Sequence, residues 1–135
     1  MAELKYKEIT EKIIGAAMKV PATLGNGFQE VIYQRALEIE FKYAGLSFAR
    51  EFNMKIYYRN EEVGERRVDF FVENTIMVEI KALINLENVH LAQAKNYLEV
   101  YNIEVGLLLN FGVASLQFKR LGNQEYKDTS IPNNP

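Results

Sequence analysis

The segment from Arg66 to Ala82, RRVDFFVENTIMVEIKA, places charged residues inside two short apolar runs. Asp69 lies in the first run, and Glu79 and Lys81 lie in the second. Charged side chains are rarely buried without a partner, yet their neighbours here are typical of a protein core. The segment therefore predicts a hydrophobic hairpin that carries two carboxylates and an ammonium. A divalent metal ion is the simplest explanation for such a cluster.

The predicted pairing of this hairpin brings the two carboxylates together. Each strand has one apolar face, made of Val68, Phe70 and Val72 in the first strand and of Ile76, Val78 and Ile80 in the second. Burying both faces together predicts a connection at residues 73–75 and places Asp69 directly opposite Glu79, about 5 Å away. Like charges at this distance raise the pKa of one carboxyl group, whereas Mg²⁺ or Mn²⁺ would convert the repulsion into coordination.

The spacing by itself also allows a structural interpretation. Glu79 could pair with Lys81, and Asp69 with Arg67, on a solvated face of the sheet. Short patterns of this kind are frequent by chance, so other parts of the chain must decide between a metal site and surface ion pairs.

Two predicted helices carry further polar residues on apolar faces. Helical spacing over residues 28–44 puts Glu30 at the head of a stripe that continues through Tyr33, Leu37, Phe41 and Ala44. A glutamate in the first turn can also simply favour the helix dipole. In the predicted helix from the N-cap Asn85 to Tyr101, an inward stripe is expected to contain Leu86, Val89, His90, Gln93, Tyr97 and Val100. His90 is interpreted as a packed or rim residue rather than as a ligand.

The complete pattern predicts the element order ααβββαββ. The other expected elements are a helix at 4–23 and strands at 52–58, 63–73, 75–82, 104–111 and 114–120. Helices that interrupt a run of strands favour an α/β fold with a mixed central sheet. We expect one domain over residues 1–124 and a loose C-terminal tail at 125–135.

Composition excludes several classes of function. The chain of 135 residues has no cysteine, which excludes disulfides and zinc–thiolate sites and is compatible with a cytoplasmic location. No apolar run approaches the length that a membrane span needs, which predicts a protein with no membrane association. The net charge of −2 does not indicate a broad basic surface for nucleic acid. Eight Tyr and eight Phe residues are compatible with a homodimer or a protein partner, although most occur at core spacing.

These motifs, in this order, resemble the PD-(D/E)xK nuclease superfamily over residues 5–120. Asp69 and Glu79-x-Lys81 match its catalytic motif, and Gln93-x-x-x-Tyr97 matches a helix motif of one of its branches. The segment from Gly27 to Tyr33, GFQEVIY, resembles the signature of the small GxxExxY family within it. Val68 stands where the motif often has proline. The resemblance implies a restriction-endonuclease-like fold.

The resemblance also implies a role for each residue. Asp69, Glu79 and the Ile80 carbonyl would bind Mg²⁺ or Mn²⁺, with Glu30 binding it directly or through water. Lys81 would orient or deprotonate the attacking water, and Gln93 and Tyr97 would position the site or the nucleic-acid strand. The implied activity is metal-dependent hydrolysis of DNA. Two alternatives remain open: a catalytically silent module that binds nucleic acid or a protein, and a structural protein whose charges are solvated pairs.

Overall fold

The computed structural model describes residues 6–128, which form three helices and five strands. The helices are α1 (Lys7–Leu24), α2 (Glu30–Tyr43) and α3 (Asn88–Val100). The strands are β1 (Phe48–Tyr58), β2 (Glu61–Val72), β3 (Ile76–Lys81), β4 (Val105–Asn110) and β5 (Gln117–Gly122). The predicted order ααβββαββ is confirmed. Residues 4–5 of the first predicted helix and 129–135 of the predicted tail lie outside the described residues.

The strands form one mixed sheet in sequence order, β1-β2-β3-β4-β5. Neighbouring strands are antiparallel except β3 and β4, which run parallel and are connected through α3. Parallel neighbours need a crossover, and a helix is the usual one. The hairpin register pairs Phe70 with Val78 and Val72 with Ile76, as the apolar pattern predicts.

Helices α1 and α2 cover one face of the sheet. The α2 stripe of Tyr33, Leu37 and Phe41 is fully buried, which confirms the predicted inward face of this helix. Pro21 lies inside α1, and the helix continues to Leu24 before Gly25 ends it with a φ of 75°. The core on this side combines both helices with the apolar faces of β2, β3 and β4.

The opposite face of the sheet is covered by α3, with a different stripe from the predicted one. Ala94 and Leu98 are buried, whereas Val89 and Val100 are exposed. Leu98 reaches the sheet at Gly106 of β4, where a Cβ atom would lie 3.0 Å from the Leu98 side chain. The missing side chain of Gly106 thus leaves room for Leu98 of α3 against the sheet. The predicted inward stripe of this helix was wrong because it counted two exposed valines as core residues.

The alternation of β2 changes at Asp69. Phe70 and Val72 pack beneath α1 and α2, but Val68 packs with Met77 and Leu98 on the α3 side. The prediction that Val68 shares a face with Phe70 is therefore wrong. In β1 the residue between the partners of Phe70 and Val68 is Glu51, whose φ of 55° lies in the left-handed region. A strand cannot keep its regular alternation through that conformation.

Candidate active site

Glu79 is the most deeply buried acidic residue of the predicted cluster, with 3% of its surface exposed. Its Oε2 accepts a hydrogen bond from Arg66 Nη2 at 2.8 Å. Its Oε1 is buried and has no hydrogen-bond partner among residues 6–128. A buried carboxylate oxygen without a partner loses its hydrogen bonds to water, and no hydrogen bond within the protein replaces them. The structure thus leaves one ligand atom of Glu79 unused.

Asp69 lies where β2 separates from β3. The regular β2–β3 pairing ends at Phe70 and Val78, and the Ile80 N–H then donates to Asp69 Oδ2 at 2.8 Å. Asp69 Oδ1 accepts a bond from Gln34 Nε2, also at 2.8 Å. The Asp69 side chain therefore takes the place of a backbone acceptor of the β2–β3 ladder. It is held by one hydrogen bond from the sheet and one from α2.

The two carboxylates influence each other's protonation. Burial and, to a smaller extent, the neighbouring Asp69 charge raise the pKa of Glu79 to about 7, although Arg66 and Lys81 act in the opposite direction. Burial also raises the pKa of Asp69, against hydrogen bonds from Ile80 and Gln34. The predicted electrostatic coupling of the pair is present. A cation between them would favour the ionised form of both groups.

Lys81 lies two residues after Glu79 and close enough to lower the pKa of both carboxyl groups. Within residues 6–128 it forms no ion pair, and Glu79 pairs with Arg66 instead. Arg67 likewise pairs with Glu51 rather than with Asp69. The two ion pairs of the structural interpretation are therefore not formed.

The chain that follows Lys81 is fixed by Asn110, which is fully buried at the end of β4. Its Oδ1 accepts bonds from the N–H groups of Leu83 and Gly112, and its Nδ2 donates to the Leu83 carbonyl and to Gln117. At Gly112 a Cβ atom would lie 2.2 Å from the Leu83 oxygen. This clamp sets where β3 ends and hence where Lys81 projects. Sequence reasoning missed it, although an asparagine at the end of an apolar strand was a signal.

The Ile80 carbonyl faces the gap between β2 and β3. The Phe111 N–H donates to the Lys81 carbonyl at 2.9 Å, so residue 81 bonds toward β4. Successive residues of a strand direct their backbone groups to opposite sides. Ile80 therefore directs its groups toward β2, as its bond to Asp69 shows. Its carbonyl lies on the same side, beyond the last regular β2–β3 pair.

Glu30 is the first residue of α2 and is exposed. Among residues 6–128 its side chain has no hydrogen-bond or ion-pair partner. Tyr33 anchors the preceding loop, because its hydroxyl donates to the Gly25 carbonyl at 2.8 Å and accepts a bond from the Phe28 N–H. One turn after Glu30, Gln34 reaches Asp69, so α2 directs the same side of the helix toward the site.

The helix motif is only partly next to the carboxylates. Tyr97 is half-buried, and the Arg66 guanidinium lies 4.1 Å from the centre of its ring. Gln93 is exposed, so the prediction that it points inward is wrong. His90 Nδ1 accepts a bond from the Glu87 N–H at 2.9 Å, and Glu87 rather than Asn85 is the N-cap of α3. His90 is therefore a capping residue.

Three residues of the site were not identified from the sequence: Arg66, Gln34 and Arg50. Arg50 Nη1 donates to Gln34 Oε1 at 3.0 Å, and Arg50 Nε lies 3.3 Å from Glu38. Gln34 is buried and connects this arginine to Asp69. The available signal for Gln34 was its spacing of one helical turn from Glu30, the acid that was predicted to face the sheet.

The donor atoms fit a small hard cation. Within the described part of the chain, no group of three or more His, Cys, Asp or Glu residues is placed to hold a metal ion. Mg²⁺ commonly uses one or two carboxylates and keeps several waters. Asp69, Glu79 with its unpartnered Oε1, and the Ile80 carbonyl would satisfy that requirement.

No curated protein matches the chain. Its fold is similar to that in the crystal structure of SSO0001, with a TM-score of 0.54 and 18% sequence identity. The similarity covers 94% of this chain and 63% of that protein, which is therefore the longer of the two. None of the described helices is long and apolar enough to cross a membrane. Residues 7–121 match the PD-(D/E)XK nuclease superfamily, and the chain belongs to that superfamily.

Proposed function

We propose that the protein is a metal-dependent nuclease that hydrolyses phosphodiester bonds of DNA with Mg²⁺ or Mn²⁺. Membership of a nuclease superfamily supports hydrolysis of nucleic acid. One observation supports a metal-dependent site in this chain: Glu79 Oε1 is buried beside a second carboxylate and Lys81 and has no hydrogen-bond partner among the residues that the structure describes. A cation there would stabilise an arrangement that is otherwise electrostatically unfavourable.

In this proposal the chain's own residues hold the cation and the substrate in place. Asp69, Glu79 and the Ile80 carbonyl are the ligands, and Glu30 acts as a ligand directly or through water. Asp69 keeps its orientation through Gln34 and the Ile80 N–H. When bound, the divalent ion supplies Lewis acidity to a phosphoryl oxygen and lowers the pKa of a water.

Lys81 orients the attacking water and offsets the negative charge that develops on the phosphate. The clamp around Asn110 keeps the end of β3 rigid, so that the ammonium projects toward the carboxylates. Tyr97 and the exposed Gln93 contact the nucleic-acid strand from α3. The proposal also assigns the protein to the GxxExxY family, which the resemblance of the segment from Gly27 to Tyr33 supports, and takes residues 1–124 as one nuclease domain.

The decisive experiment is a calorimetric titration of Mg²⁺ and Mn²⁺ into the wild type, Glu79→Gln and Lys81→Met, with plasmid and single-stranded DNA cleavage measured on the same samples. Glu79→Gln keeps the size of the side chain but removes its charge. We expect it to lose metal binding and cleavage together. Lys81→Met should retain metal binding and lose turnover, because the ammonium is not a ligand.

Glu65→Ala serves as the control, because Glu65 is an exposed glutamate on the same strand as Asp69. It should behave like the wild type. Metal binding without cleavage in the wild type would instead support a nuclease-like module that only binds nucleic acid or a partner. An unchanged metal affinity in Glu79→Gln would exclude the proposed site.

A further inference from the structure

The Arg66 guanidinium lies between Glu79 and Tyr97. Its Nη2 donates to Glu79 Oε2 at 2.8 Å, and its Cζ atom lies 4.1 Å from the centre of the Tyr97 ring. Its Nε is buried and has no hydrogen-bond partner within the described part of the chain, and 28% of the side chain is exposed. The guanidinium therefore has unused donor capacity and remains reachable from solvent.

Arg66 and a divalent cation would compete for the same carboxylate. Both are positively charged, and both would be drawn to the oxygens of Glu79, a residue that is 3% exposed. Two cations at one buried carboxylate repel each other strongly, because solvent screens them little. Cation binding therefore favours a guanidinium that has left Glu79.

Tyr97 offers the guanidinium a contact that does not depend on Glu79. A cation–π contact with the ring persists when the arginine turns away from the carboxylate. The guanidinium then presents several N–H donors, including the unpartnered Nε, next to the carboxylates. Planar donors of this kind match two phosphate oxygens at once.

We propose that Arg66 holds Glu79 in the metal-free protein and binds a backbone phosphate of the nucleic-acid substrate once a divalent cation has replaced it on Glu79. This inference rests on the proposed function. It makes Arg66 a substrate-binding residue that metal binding releases. Metal and substrate affinity are then coupled through one side chain.

Two measurements on Arg66→Gln test the exchange. The first is a calorimetric titration of Mg²⁺ at pH 9, so that ionisation of the two carboxyl groups is not limiting. The second is fluorescence anisotropy of labelled single-stranded and duplex DNA oligonucleotides in the presence of Ca²⁺, which uses the same oxygen ligands as Mg²⁺. We expect Arg66→Gln to bind Mg²⁺ more tightly than the wild type and DNA about tenfold more weakly.

Arg67→Gln is the matched control. Arg67 is the next residue on β2, so it points to the opposite face, and its side chain is 63% exposed and paired with Glu51. It removes the same charge and should leave Mg²⁺ affinity unchanged, with little effect on DNA binding. Arg66→Lys should restore part of the DNA affinity, because an ammonium still binds one phosphate oxygen.

Opposite changes in metal and DNA affinity distinguish the exchange from other roles. Loss of both would show that Arg66 only supports Glu79, and a gain of both would show that it only inhibits. No change in either would also overturn the inference. If the wild type does not bind Mg²⁺, both the proposed function and this inference are wrong. If the wild type cleaves DNA with Mg²⁺ but Arg66→Gln does not show the expected opposite changes, only this inference is wrong and the proposed function stands.

Discussion

At the scale of single residues, the site is governed by the burial of Glu79. The carboxyl group is nearly inaccessible, has one unpartnered oxygen and lies beside the charge of Asp69. Arg66 compensates only part of this cost, through one oxygen. In a purely structural ion pair, both oxygens of the carboxylate would be expected to have partners. The arrangement therefore favours a role for Glu79 in binding a cation.

The raised pKa of Glu79 predicts a pH dependence of stability in the metal-free protein. Because burial and the Asp69 charge raise this pKa from 4.5 to about 7, the folded chain binds the proton more tightly than the unfolded chain. The stabilisation is therefore complete below pH 4.5 and is lost as the pH rises toward 7, by at most about 3 kcal/mol. Urea unfolding of the wild type and of Glu79→Gln between pH 4.5 and 8 measures it.

Glu79→Gln cannot ionise at this position, so its free energy of unfolding should decrease less than that of the wild type over the same range. The carboxyl groups other than Asp69, whose protonation is coupled to that of Glu79, titrate in both proteins and cancel in the comparison. Identical pH profiles of the two proteins would contradict the raised pKa.

At the scale of elements, the site depends on the contact between α2 and the fork of β2 and β3. From α2, Gln34 donates a hydrogen bond to Asp69. The same amide accepts a hydrogen bond from Arg50 of β1 and so connects this arginine to the carboxylate. The apolar stripe of Tyr33, Leu37 and Phe41 fixes the rotation of α2 and hence the position of this amide. Helix packing thus determines the orientation of Asp69.

This arrangement predicts that Gln34→Leu weakens metal binding while preserving the fold. Leucine has a similar size but cannot donate to Asp69 Oδ1, so the carboxylate loses one of its two restraints. Loss of such a supporting bond typically reduces metal affinity or activity on the order of 10- to 100-fold. Calorimetry with Mg²⁺ and the DNA cleavage assay measure the loss, and circular dichroism checks the fold.

Arg50→Met should act in the same direction with a smaller effect, because Gln34 then keeps its bond to Asp69 but loses its own support. Gln124→Leu, at an exposed glutamine beyond β5, provides the control for the substitution itself. Wild-type metal affinity in Gln34→Leu would show that Asp69 is oriented by the Ile80 N–H alone.

At the scale of the whole molecule, the site joins segments from distant parts of the chain. The α2 helix, both strands of the β2–β3 hairpin and the clamp at the end of β4 all contribute to it. A ligand that binds only this assembled arrangement must stabilise the folded state as a whole.

We therefore expect Mg²⁺ to raise the melting temperature of the wild type at pH 8. At a concentration ten times its Kd the stabilisation is about 1.4 kcal/mol, or a few degrees for a domain of this size. Differential scanning calorimetry measures the shift, with NaCl at equal ionic strength as the reference. Glu79→Gln should show no shift, and an equal shift in both proteins would indicate non-specific binding.

The sequence by itself was sufficient for the element order, for the hairpin pairs Phe70–Val78 and Val72–Ile76, and for the buried face of α2. These depend on the spacing of apolar residues, which is set by the geometry of a helix or strand alone. The sequence was not sufficient for the predicted pair Asp69–Glu79, because the regular ladder ends at Phe70 and Val78. The sequence also predicted that Asp69, Glu79 and Lys81 lie at neighbouring positions, because a short hairpin allows few alternative pairings of its strands.

The tertiary structure decided the rotation of α3, the change of alternation at Asp69 and the partners of the charges. Leu98 of α3 packs where Gly106 has no side chain, and the left-handed backbone of Glu51 accompanies the change of alternation at Asp69. Arg66, the partner of Glu79, lies on the neighbouring strand β2, and Gln34, the partner of Asp69, lies on α2. Such contacts depend on how separate elements pack in space, which no local pattern encodes.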